Sequence, residues 1–162
     1  MQDVFAQLLS PGNLLMNMVG GVVLTAFCFW LISRVLPPRS VKAYWTISLS
    51  VIVVMMFLKP LRDPVVGSII YGAVSILLPI VLLKGSLFAR VLTSLMYMVA
   101  MTIGEVAGVS AWYAATGLGV VDNDIVLANF PAYIFGMWGI NMTVTGLLMM
   151  GVRYLIHRFV PC

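Results

Sequence analysis

Long apolar runs separated by short polar punctuation set the pattern of this chain. The first run covers about 13–35 and stops where Pro37 and Pro38 forbid a helix. A second, shorter run covers about 44–58, and Lys59 beyond it can reach an interface with its ammonium group. Pro60 to Pro64, with Arg62 and Asp63, reads as a tight turn. The third run spans about 65–83, with Pro79 as an expected kink, and Lys84 and Gly85 end it. The fourth, about 88–116, is the longest. A polar loop with Asp122, Asn123 and Asp124 follows, and the fifth run covers about 126–151. Roughly 20 apolar residues cross the hydrocarbon core as a helix, so the pattern predicts an all-α, polytopic transmembrane bundle of about five spans. Ahead of the first run, Val4, Phe5, Leu8 and Leu9 share one helical face before Pro11 and Gly12, which predicts a short N-terminal interfacial helix.

Composition sharpens this. Of 162 residues, 62% are hydrophobic and 9% charged, and the mean hydropathy is +1.11. A soluble domain of this size needs more polar surface than that. No stretch of ordinary composition is long enough for a second, soluble domain, so residues 1–162 read as a single integral membrane domain. Asp3 and the lack of a basic leader argue against a signal peptide. The two cysteines, Cys28 and Cys162, are no disulfide framework.

The net charge of +4 is a topology signal rather than a nucleic-acid footprint. With five spans, Arg34, Arg39, Lys42, Lys84, Arg90, Arg153 and Arg158 fall on one side, leaving only Lys59 and Arg62 for the other. The cation-rich side is expected to be cytoplasmic, with the N-terminus outside and the C-terminus inside a multi-pass cell-membrane protein. Trp30, Tyr44 and Trp45 flank the first cytoplasmic loop, where interfacial aromatics belong.

Candidate chemistry is sparse. Glu105 is the one acidic residue within a span, and a charge there costs at least about 2.5–3.5 kcal/mol. The expectation is a side chain buried between helices, serving either as a ligand, ion or switch site or as a carboxyl that cross-links helices. Helical spacing groups Thr102, Gly108 and Trp112 with it. Gly104 and Gly108 form a small-xxx-small pair that permits close helix approach. Asn141, with Thr145 one turn later, is the expected hydrogen-bonding partner of Glu105. His157 is alone among basic residues and reads as an interfacial histidine rather than a metal ligand. The twelve methionines suit adaptable packing better than copper. No phosphate loop, nucleophile–base pair or metal-ligand spacing is legible, so neither an enzyme nor a cofactor or metal site is expected.

Leu83-Lys-Gly-Ser-Leu-Phe-Ala-Arg90, leading into Leu92, Tyr97 and Ile103-Gly-Glu105, resembles the membrane sensor domain of GHKL-type sensor histidine kinases, including the peptide-pheromone receptors of accessory-gene-regulator systems. Gly151-Val-Arg-Tyr-Leu-Ile-His-Arg158 looks like the exit into their signalling helix. The resemblance implies a receptor domain in a two-component system, sensing an extracellular peptide and acting as a homodimer. It also implies about six spans, a following coiled coil and an ATP-binding kinase domain. This chain shows five spans and stops at Cys162. A substrate-binding membrane subunit of a vitamin importer, or an accessory membrane subunit, fits the same size and hydropathy. A transported solute, however, calls for more intramembrane polar groups than Glu105 and Asn141.

Overall fold

The computed structural model describes residues 22–58, 64–117 and 134–160. The interfacial helix, the start of the first span, the 59–63 turn, the loop after Gly117, the start of the fifth span and Cys162 lie outside the described residues. Within them the regular elements are all helical: α1 (Thr25–Val35), α2 (Val41–Leu58), α3 (Pro64–Leu82), α4 (Leu87–Thr116) and α5 (Gly139–Phe159). A π-helical segment, Ile134–Trp138, feeds directly into α5.

Local chemistry sets the boundaries. Ser40 opens α2, its hydroxyl accepting from the Ala43 amide at 3.3 Å, so α2 starts earlier than the expected Tyr44. Ser86 caps α4 in the same way, accepting from the Ala89 amide at 3.2 Å. Gly117 ends α4 at φ +68°, a left-handed conformation costly for any residue with a Cβ. Pro79 sits inside α3 without ending it.

The α1–α2 and α3–α4 connections pair at one end of the bundle. Pro38 and Leu83 form an isolated antiparallel bridge. Around it, the Arg39 amide donates to Leu82 O at 2.8 Å and the Lys84 amide to Pro37 O at 2.8 Å. The Arg39 side chain adds a bond from Nε to Leu83 O at 3.1 Å, and Arg90 Nη1 donates to Ile80 O. The last carbonyls of α3 have no helical partners of their own. Two arginines and one backbone amide satisfy them, and the cations also suit the negative end of the helix dipole. Arg39 and Arg90, read from sequence as topology markers, are therefore also helix caps.

The core gathers where α1, α4 and α5 meet. Cys28, Phe29, Ile32, Tyr97, Ala100, Met149 and Ile156 are all buried there. The Cys28 thiol lies 3.4 Å from Met101 Sδ, a soft contact suited to an apolar core. Tyr44 departs from its expected interfacial place. It is fully buried, and its hydroxyl donates to Phe29 O at 2.7 Å, tying α2 to α1. Trp30 is exposed, with the Arg34 guanidinium 5.1 Å from its ring centre.

Among the described residues, two helices are long and apolar enough to cross a membrane, Leu87–Thr116 and Gly136–Phe159. Three shorter apolar helical stretches, Val22–Val35, Val41–Val54 and Gly72–Leu82, accompany them. Much of their outward surface is apolar, including Val106, Leu147 and Leu77. Replacing Arg90 by Met should remove the cap on Ile80 while keeping the bulk of the side chain. A charged hydrogen bond of this kind is worth about 1.5–3 kcal/mol. Reversible unfolding in mixed detergent micelles should show a loss in that range, and an unchanged midpoint would refute the capping role.

Candidate functional site

Among the described residues the most extensive contact is between α4 and α5, which run antiparallel. The seam is built from small residues on α4 and polar ones on α5. A Cβ placed on Gly104 would stand 2.3 Å from Thr145 Oγ1 and 2.8 Å from the Asn141 carbonyl oxygen. A Cβ on Gly108 would stand 2.4 Å from the Met137 carbonyl oxygen and 3.3 Å from Asn141 Cβ. Both glycines are therefore required by close approach, and α5 lies in the groove they open.

Asn141 and Thr145 fill that groove from α5, and both are buried. The Thr145 hydroxyl lies 3.1 Å from Asn141 Oδ1 and 3.3 Å from Ala100 O. Two carbonyl-type acceptors thus share one hydroxyl proton, Asn141 one turn earlier on α5 and Ala100 across the interface on α4. Thr93 and Ser94, also buried on α4, return their hydroxyls to carbonyls one turn earlier at 2.8 and 3.0 Å. Trp112 is 1% exposed and packs within the bundle rather than at a headgroup surface.

Glu105 corrects the expectation. It is exposed, as is Thr102, and it makes no hydrogen bond or ion pair with Asn141 or another described residue. The reason is rotational. Glu105 is one residue, about 100° of helix, away from Gly104, which faces α5. The expected Glu105–Asn141 link therefore does not form; Asn141 turns instead to Thr145. Of the residues grouped with Glu105 by spacing, Gly108 and Trp112 lie inside the bundle and Thr102 outside it, where its hydroxyl donates to Met98 O at 2.9 Å.

The cationic residues gather at the end where the connections pair. His157 Nε2 lies 3.0 Å from Val35 O. A carbonyl oxygen only accepts, so the bond places a proton on Nε2. This brings the end of α5 beside the end of α1, near Arg34 and the Arg39–Leu83 bridge. His157 is thus a link between helices, a role that its lone position in the sequence gave no sign of. An open groove of about 570 Å³ lies on this end of α5, lined by Met150, Arg153, Tyr154, His157 and Arg158. Arg158 donates to the Tyr154 hydroxyl and lies over that ring at 5.7 Å. Among the described residues no group of three or more His, Cys, Asp or Glu side chains could hold a metal ion.

No protein-family model, curated protein or solved structure matches this chain. The site is therefore defined by geometry alone: a glycine-keyed helix pair with a buried Asn–Thr contact, a carboxyl on its outer face, and a basic end.

The seam makes a graded prediction. Gly108→Ala drives a methyl into backbone, and Gly104→Ala drives one into a side-chain hydroxyl and a backbone carbonyl. Overpacking of this kind costs about 1–3 kcal/mol. Thr145→Val keeps the shape and removes one hydroxyl, a loss of about 0.6–1.7 kcal/mol. Unfolding measurements should rank Gly108→Ala as more damaging than Thr145→Val; the reverse order would contradict the packing described.

Proposed function

We propose that the chain is the membrane-embedded sensor domain of a signal-transducing histidine kinase. It crosses the membrane five times, with the N-terminus outside, the C-terminus in the cytoplasm and the kinase reaction carried out by another domain. Its ligand is an extracellular peptide or amphiphile. In this reading α4 and α5 form the transmitting pair. The outer loop that joins them is the receiving element, and the end of α5 is the output.

The observation that supports the reading is the continuity of α5. It is one uninterrupted helix from Gly139 to Phe159. It is locked to α4 at its N-terminal half by Gly104 and Gly108, and held near α1 at its far end by His157. A rotation or shift at the locked half is then delivered to Arg153 and Arg158 with little loss. A ligand acts on such a pair only by binding one helix arrangement more tightly than another. The gathering of Arg34, Arg39, Lys84, Arg90 and Arg158 around the paired connections supports the cytoplasmic assignment of that end.

Two measurements bear on this. Thiol-accessibility labelling at Gln2→Cys, in a chain with Cys162 replaced by Ser, should react from the outside, while native Cys162 reacts only after permeabilisation. Both ends reacting from one side would remove the five-span arrangement. Separately, a kinase fused after Phe159, with one to four alanines inserted at Arg158, should give output that oscillates with the roughly 100° turn per residue. Output indifferent to the number inserted would reduce the end of α5 to a membrane anchor.

A further inference from the structure

Glu105 stands on the outer face of α4, about 22 Å along the helix from Arg90 and about 16 Å from Thr116 at 1.5 Å per residue. Placed in a bilayer, that position lies within the hydrocarbon, where an exposed carboxyl is costly and calls for a polar partner. The surface around it is ordered. Leu95, Val99, Thr102, Val106, Val109 and Tyr113 recur at alternating spacings of four and three along α4. All of them are exposed or half-exposed. This is the 3.5-residue period of a helix seam, unused among the described residues, with β-branched side chains at four of its six positions.

We propose that this seam is the contact with a second copy of the chain, α4 against α4 in a parallel, two-fold pair. Membrane insertion gives every copy the same direction, so the pairing of a helix with its own copy about an axis along the membrane normal is parallel. In that register Glu105 occupies the flanking position that meets the residue five further along the partner helix. That residue is Ser110, which is exposed on the opposite flank of the seam. Each Ser110 hydroxyl donates to the other copy's Glu105 carboxyl, and the symmetry makes the bond twice. The polar residue that the outer face cannot leave to lipid thus finds a donor that the same chain supplies, at the spacing the seam requires. This inference concerns assembly and does not rest on the sensor reading.

The test is oxidative cross-linking in native membranes, in a Cys162→Ser background with Cys28 buried in the core. Single cysteines at Leu95, Val99, Val106 and Val109 should form dimers efficiently. Cysteines at Leu77 on α3 and Leu147 on α5, equally outward-facing, should not. A lost interhelical hydrogen bond weakens association about threefold, so losing the symmetric pair weakens it about eightfold. Glu105→Ala and Ser110→Ala should each lower the dimer association constant in bilayers by about that factor, and the double variant should lose no more than either. Glu105→Gln, which still accepts from Ser110, should keep the dimer and shows that the chain folds without the carboxylate. Cross-linking without phase along α4, a chain that stays monomeric at all lipid dilutions, or additive losses in the double variant would each overturn the proposal.

Discussion

The close approach of α4 and α5 at Gly104 and Gly108 is the constraint on which the rest of this structure depends. In lipid there is little hydrophobic drive to bring helices together, because the tails are as apolar as leucine. Association must come from packing and hydrogen bonds. Two absent side chains let the α5 backbone settle against α4, close enough for Thr145 to reach the Ala100 carbonyl. Once that pair is set, α1 packs across it through Cys28, Phe29 and Ile32, and α2 follows through Tyr44.

The opposite end is held by a different device. Helices end in unpaired carbonyls, and at one end of this bundle those carbonyls are answered by basic side chains. Arg39 and Arg90 serve α3, and His157 serves α1. Arginines can do this because long basic side chains can turn back along the helix surface. The same arginines, read from sequence as a topology signal, supply a tertiary clasp.

Much of this was legible in the sequence for a simple reason: apolar length and proline or glycine punctuation fix helices almost without tertiary help. The ends of α2, α3 and α4 fall within a few residues of the hydropathy boundaries, and the small-xxx-small spacing pointed to the glycines that α5 meets. What was not legible depends on which neighbour lies on which side. Glu105 shares a nominal face with Trp112, seven residues on. Yet a seven-residue step drifts about 20° on a straight helix, and the neighbours of α4 cover the Gly104 side while leaving Glu105 out. Tyr44 sat at a boundary typical of interfacial aromatics, and only the proximity of the Phe29 carbonyl explains its burial. The Arg39–Leu83 bond joins residues 44 apart, beyond any local pattern. The π segment Ile134–Trp138 carries no hydropathy signature at all.

The seam can be examined without altering a residue. In uniformly labelled protein reconstituted in bilayers, carbon–carbon correlation by solid-state NMR should give cross-peaks from Gly104 Cα to Thr145 Cβ and from Gly108 Cα to Asn141 Cβ. Both pairs lie across the α4–α5 interface, and each is brought together only by the missing Cβ. Observing both would establish the glycine-keyed pair in the membrane. If both were absent while contacts within α4 and within α5 remained strong, the two helices would not be packed at these glycines, and the account built on their contact would fail.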